Sequence, residues 1–250
     1  MRYQTRCSEC GACLEVCPEG LRALSDQAGS DPGKCRQCLA CVSACPTGAL
    51  ELKGQTIAAG DLVDRAVRQR AFLESSGGGV TLTGGEPTLQ ASFTSAVLRL
   101  LKAEGIHTAV ETTGLTTWPV LEELAGSVDL FLYDVKHADD ALHRRDTGVS
   151  NQAILENLGQ LAALGADIIV RVPCIPGRNA SPGTIGDIAA MARDLGCRRI
   201  ALLPYNPAAP GKYTWLQRPY PLGGLAAQTE DEMAELEEVA RGAGLEVVAP

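Results

Sequence analysis

Two copies of one cysteine run constrain this chain more than any other feature. The first is Cys7-x2-Cys10-x2-Cys13-x3-Cys17-Pro18 and the second is Cys35-x2-Cys38-x2-Cys41-x3-Cys45-Pro46. Each copy has the bacterial ferredoxin spacing, in which the fourth cysteine ligates the other cluster of a two-cluster module. The two-residue gaps let three thiolates converge on one cubane face. Gly11 lets the chain wrap closely, and the proline ends the turn and directs the fourth cysteine away. By that rule Cys7, Cys10, Cys13 and Cys45 hold one [4Fe–4S] cluster, and Cys35, Cys38, Cys41 and Cys17 hold the other. The alternative is a pair of structural zinc sites, which usually join two Cys-x2-Cys pairs at longer separation. With all eight thiolates committed to closed clusters, the module is expected to store and pass electrons and to do no bond chemistry itself.

Of ten cysteines only Cys174 and Cys197 lie beyond the module. They read as buried, hydrophobe-like thiols. Clustered cysteines without an apolar leader point to metal ligands in a reducing compartment rather than disulfides. The first residues carry no signal-peptide core and no apolar run reaches the length of a membrane span, so a soluble, cytoplasmic protein is expected. The formal charge of −8 argues against nucleic acid as a partner. The acidic cluster from Glu230 to Glu238 reads as a solvated helix face, opened by a capping box of Thr229 and Glu232.

Residues 1–53 form the ferredoxin-like module by this reading, and residues 54–250 a second domain. There, helix-periodic stretches alternate with short strand-like runs. The helical stretches are "DLVDRAVRQRAFLES", "ASFTSAVLRLLKAEG", "WPVLEELAG", "NQAILENLGQLAALG", "IGDIAAMARDLG" and "TEDEMAELEEVARGAG". The strand-like runs are "VTLT", "IHTAVET", "VDLFLYDV", "ADIIVRV", "RRIALLPY" and "LEVVA". Such alternation predicts βαβ units on a parallel sheet.

Five distinctive strings, "TLTGGEP", "AVETTG", "FLYDVK", "RVPCIPG" and "LLPYN", each end a predicted strand. In a parallel α/β barrel the loops after the strands line the mouth where chemistry sits. Gly84 and Gly85 allow close backbone approach, and with Glu86 they suit a cationic amino group; the plain alternative is a glycine-rich turn with no ligand. Lys136 lies on the same strand side as Asp134 and suits a carboxylate, or it simply pairs with Asp134. Glu111 is either a site residue or a turn residue or cap.

Taken together, the strings "SGGGVTLTGGEP", "DLFLYDVKHADDALHRRDTGVSNQAILENL", "RVPCIPG" and "LLPYNPAAPGKY" resemble the glycyl-radical-enzyme activating enzymes of the radical S-adenosylmethionine superfamily. That group includes the pyruvate formate-lyase activators, and the resemblance here is to its subgroup with a two-cluster ferredoxin insert. It implies a partial parallel (β/α) barrel and an activase. Such an enzyme cleaves S-adenosylmethionine with an electron from iron–sulfur clusters and places a glycyl radical on a partner, a glycyl radical enzyme. A ferredoxin or flavodoxin-type reductant is implied. Also by resemblance, Gly84, Gly85 and Glu86 meet the methionine amino group, Asp134 and Lys136 lie at the ligand and its carboxylate, and Asn206 lies near the adenosine. Relatives often carry histidine at the last position; asparagine can hydrogen-bond there but cannot titrate.

The superfamily's Cys-x3-Cys-x2-Cys run, which holds a further [4Fe–4S] cluster, does not occur in these 250 residues. Cys13-x3-Cys17 continues to Gly20, and Cys41-x3-Cys45 to Gly48. In relatives it precedes the ferredoxin insert, together with the first barrel strand. The favoured expectation is that Met1 is an internal methionine of a longer protein, whose full-length form alone carries the third cluster. The alternatives are a remnant barrel serving a non-catalytic electron-transfer or binding role, or a strand supplied by another chain. Without that strand "VTLT" is expected to be an unpaired sheet edge.

Overall fold

The computed structural model describes residues 2–21, 34–215 and 219–249. Two compact units form. One is Met1–Thr56 with Asn206–Leu225, and the other is Ile57–Tyr205 with Ala226–Pro250.

The larger unit is built on a six-stranded sheet in the order β1-β2-β3-β4-β5-β6, with every pairing parallel. The strands are β1 (Val80–Leu82), β2 (Thr108–Thr112), β3 (Leu130–Asp134), β4 (Ile168–Pro173), β5 (Arg199–Leu203) and β6 (Glu246–Val247). Sequential parallel order with right-handed crossovers puts the connecting helices on one face, and the result is a partial (β/α) barrel. Among the described residues β1 pairs only with β2, so the "VTLT" strand is an edge.

Side-chain alternation divides the sheet's two faces. Val110, Phe131, Tyr133, Val135, Val170, Val172, Ile200 and Leu202 point into the main core, against Leu98, Leu121, Leu158, Ile185 and Leu236 from the helices. The opposite face carries Glu111, Leu132, Asp134, Ile169 and Arg171 at half-buried positions. A smaller core joins Val63, Val97, Leu101 and Ile106.

In chain order the helices of both units are α1 (Ala12–Glu15), α2 (Ala40–Ser43), α3 (Ala59–Val67), α4 (Arg70–Ser76), α5 (Ala91–Ala103), α6 (Trp118–Ala125), α7 (Asp140–Thr147), α8 (Gln152–Ala163), α9 (Pro182–Asp194), α10 (Ala209–Trp215) and α11 (Glu230–Gly242). The stretch expected as one helix, "DLVDRAVRQRAFLES", is two, α3 and α4. The chain tightens at Gln69, whose amide reaches back three residues to the Ala66 carbonyl at 2.9 Å. The helix α7 was not legible from periodicity, because it buries only His143. Its ends hold it instead. Asp139 caps the start by accepting from the Leu142 amide, and Gly148 ends it at φ 82°. The capping box of Thr229 and Glu232 on α11 is formed. Among the described residues no helix is long and apolar enough to cross a membrane.

Candidate functional site

In the smaller unit the two cysteine runs fold alike. Each places left-handed residues two and four positions after its first cysteine: Glu9 (φ 56°) and Gly11 (φ 79°), then Gln37 (φ 53°) and Leu39 (φ 63°). Gly11 and Leu39 are the N-caps of α1 and α2. This repeated reversal folds the cysteines around two cavities. One is lined by Cys7, Cys10, Cys13 and Cys45, and the other by Cys17, Cys35, Cys38 and Cys41. The fourth cysteine of each run therefore lies in the cavity of the other. Among the described residues no three His, Cys, Asp or Glu side chains converge closely enough to hold a single metal ion. The donor set, four thiols around each of two hollows, fits a cluster in each.

The thiols of the first cavity are not equivalent. Burial raises the Cys13 pKa, whereas hydrogen bonds from the Leu50 backbone and its neighbours lower that of Cys45. Asn206, in this same unit, is exposed, and its Oδ1 accepts from the Ala208 amide at 2.9 Å.

In the larger unit the strings noted above stand at the carboxyl ends of β1 to β4. After β1, Gly84 takes φ 136°, and both Gly84 and Gly85 are exposed, with open space where a Cβ would stand. Glu86 follows and caps a 3-10 turn over Pro87–Gln90. Its Oε1 accepts from the Thr88 amide (3.2 Å), the Thr88 hydroxyl (2.9 Å) and the Thr112 hydroxyl (2.8 Å). Its Oε2 accepts from the Thr113 amide and the Thr113 hydroxyl, each at 2.9 Å. Burial works to raise its pKa, but these donors outweigh it and hold the carboxyl below the usual range.

On the half-buried face, Glu111, Arg171, Asp134 and Lys136 form a ladder of alternating charge. Arg171 bonds Glu111 at 2.9 Å and stands 3.7 Å from Asp134, and Lys136 is 3.6 Å from the other Asp134 oxygen. The strand register sets this up, since Asp134 lies directly beside Arg171. Glu111 is a strand residue, neither turn nor cap. Asp134 Oδ1 is buried and has no hydrogen-bond partner. Burial raises its pKa, against the pull of Lys136 and Arg171. This orphaned acceptor and the open glycine turn fit a ligand carrying an ammonium and a carboxylate.

Sequence reasoning missed Arg171, Thr112, Thr113 and Asn179. Arg171 was legible in principle, as an arginine at period two in a strand that ends in "VPCIPG". Asn179, 2% exposed, donates to the Lys136 carbonyl (3.0 Å) and the Pro173 carbonyl (2.9 Å) and accepts from the Ile175 amide (2.7 Å). It ties the ends of β3 and β4 together. Behind Lys136, the buried His137 bonds Asp146 at 2.8 Å, and Asp146 also meets Arg145 and Arg178.

Two family models match the chain. Residues 44–195 match the radical SAM superfamily, and residues 6–49 match the 4Fe-4S dicluster domain. The chain is 39% identical over 248 residues to the isethionate sulfite-lyase activating enzyme of Nitratidesulfovibrio vulgaris, covering 96% of this chain and 80% of that protein. It is 38% identical to the trans-4-hydroxy-L-proline dehydratase activating enzyme of Clostridioides difficile, covering 93% and 78%. Among solved structures, a domain of the pyruvate-formate lyase-activating enzyme from Bacteroides vulgatus superposes with a TM-score of 0.58 at 28% identity, covering 69% of this chain and 99% of that one.

Proposed function

We propose, from the premise that this chain belongs to the radical S-adenosylmethionine superfamily and to its glycyl-radical-enzyme activating enzymes, that it installs a glycyl radical on a partner enzyme. When bound, the iron–sulfur clusters supply single electrons, and S-adenosylmethionine supplies the hydrogen-abstracting group.

The chain's own residues bind and orient. Cys7, Cys10, Cys13 and Cys45 hold one [4Fe–4S] cluster of the module, and Cys35, Cys38, Cys41 and Cys17 the other. The backbone of Gly84 and Gly85 receives the ligand's amino group, for which the exposed turn leaves room. Lys136 and Arg171 face its carboxylate, and Asp134 Oδ1 gains the donor it lacks. Glu111 holds Arg171 in place. The partner is a glycyl radical enzyme and the electron donor a ferredoxin or flavodoxin-type protein. The reaction is cytoplasmic. Named relatives act on enzymes of different chemistry, so the class of partner, and not its substrate, follows from them.

The observation that carries this reading is the charged ladder beside an open Gly-Gly turn, in a chain that also folds eight cysteines around two hollows. A second reading, an electron carrier with a ligand-binding barrel, is favoured by one fact: residues 1–250 contain no Cys-x3-Cys-x2-Cys run. One experiment separates them. The anaerobically reconstituted protein is expected to hold about eight irons in the module, two four-iron clusters. It is then mixed with a glycyl radical enzyme, reductant and S-adenosylmethionine, and the partner's glycyl radical is sought by electron paramagnetic resonance. A glycyl radical favours the activase; iron near eight with ligand binding but no radical, also from a full-length form of the protein, favours the carrier. Iron near four, or no binding of S-adenosylmethionine, refutes the site assignments.

A further inference from the structure

We propose that Glu86 is a positioning residue and not a ligand contact: its carboxylate straps the Gly84–Gly85 turn to the end of β2. The proposal rests on the reading that S-adenosylmethionine binds at this turn.

Three observations carry it. First, the carboxylate is saturated. It has about four lone-pair sites, and five donors from Thr88, Thr112 and Thr113 already occupy them at 2.8–3.2 Å. A ligand ammonium would have to displace one.

Second, the donors are locked in direction. The Thr112 hydroxyl accepts from the Gly114 amide at 3.0 Å, and the Thr113 hydroxyl from the Leu115 amide at 3.4 Å. Each hydroxyl must then give its own proton to Glu86. Such chains polarise and reinforce one another.

Third, the strap reaches the wrong face for a ligand. Thr112 is 2% exposed and points with its neighbour Tyr133 toward the helices. Glu111, one residue earlier, points to the opposite face with Arg171. What Glu86 leaves outward is the backbone of Gly84 and Gly85, exposed and unobstructed. One side chain thus fixes three things: the glycine turn, the start of the 3-10 turn at Thr88, and the end of β2.

Glutamine is a poor substitute by this logic, because its NH2 would face donors. The variants Glu86→Gln, Thr113→Val and the double variant are compared with the unaltered chain, reconstituted with its clusters. Two quantities are read: amide exchange at Thr88 and Thr113, and the dissociation constants of S-adenosylmethionine and 5′-methylthioadenosine, which lacks the amino-acid end. One disrupted buried hydrogen-bonded group corresponds to about tenfold. Glu86→Gln and Thr113→Val are each expected to weaken S-adenosylmethionine by about that factor, with 5′-methylthioadenosine unchanged within about twofold. The double variant should be no weaker than the worse single one, because both cut the same strap. Amide exchange at Thr113 should quicken about tenfold in Glu86→Gln. A direct contact gives the opposite pattern: Thr113→Val silent for ligand and Glu86→Gln severe. That result overturns the proposal. If the unaltered chain binds no S-adenosylmethionine, the binding reading fails, and exchange alone still decides the strap: unaltered protection at Thr88 and Thr113 refutes it.

Discussion

Replacing Gly114 by alanine is expected to destabilise the sheet unit severely, for reasons that can be separated. Gly114 follows the threonines that hold Glu86. Its φ of 68° is left-handed, and a Cβ there would stand 1.6 Å from Tyr133 Oη and 2.1 Å from Cζ. Tyr133 cannot retreat, since it is fully buried and its hydroxyl donates to the Ile154 carbonyl at 2.7 Å. Gly114 cannot move freely either, since Asn157 Nδ2 donates to its carbonyl at 2.9 Å. A left-handed alanine costs about 1 kcal/mol, overpacking about 1–3 kcal/mol, and loss of the tyrosine hydrogen bond with both groups still buried about 1–3 kcal/mol. The total is about 3–7 kcal/mol, a large share of the ~5–15 kcal/mol that holds a typical domain.

Urea unfolding followed by the fluorescence of Trp118, which packs on the core, measures it. Gly105→Ala is the control. It has φ 70° and nothing within 4 Å of its would-be Cβ, so it reports the backbone contribution alone, about 1 kcal/mol. Tyr133→Phe added to Gly114→Ala should recover little, because the ring carbon at 2.1 Å remains. A Gly114→Ala loss no greater than that of Gly105→Ala would refute the reasoning.

Four further outcomes are expected. Asn179→Ala leaves two carbonyls and an amide of the β3 and β4 ends without partners, which should lower stability by about 2–4 kcal/mol and weaken S-adenosylmethionine more than 5′-methylthioadenosine; equal loss for both would place Asn179 outside the ligand's amino-acid end. Arg171→Ala strands Glu111 and Asp134 together, so the Asp134 carboxyl should titrate still higher, read by carboxyl NMR; an unmoved titration would disprove their coupling. Arg145, then His137, hold the Asp146 carboxyl down to about 2 from 3.8. A depressed folded pKa means that this stability is fully present above about pH 4 and is lost as pH falls toward 2, so Asp146→Asn should flatten the acid limb of the unfolding curve; an unchanged limb excludes the assignment. Leu39→Gly relieves a left-handed leucine at φ 63° and should stabilise the cysteine unit by about 1 kcal/mol, measured as resistance of its reconstituted absorbance to urea; a destabilised unit would mean that the side chain's packing outweighs the strain.

What the sequence made legible followed from repetition and alternation. All six strands stand where runs such as "VDLFLYDV" and "RRIALLPY" were read, because buried parallel strands are written in contiguous apolar residues. The partition of cysteines between two cavities follows from spacing alone. What stayed hidden had no local signature. The helix α7 is mostly polar, buries only His143 and is held by Asp139 and Gly148. The Glu86 strap depends on Thr112 and Thr113, more than twenty residues away in sequence, and a "TT" dipeptide announces nothing. Arg171 joins the site only through the register of β4 against β3. Asn179 does so through a loop whose purpose is clear only once two strand ends are adjacent.

The exchange of fourth cysteines between the two hollows bears on ancestry as well as on structure. A single copy of the run furnishes three walls of its own hollow and one wall of another. By itself it encloses nothing complete; two separate copies would have to meet as a symmetric pair, each finishing the other. Fusion into one polypeptide makes that meeting intramolecular and independent of concentration. The duplication is therefore a bond between halves: once Cys17 and Cys45 trade places, neither half can be shed, shortened or separately redesigned without dismantling the neighbour.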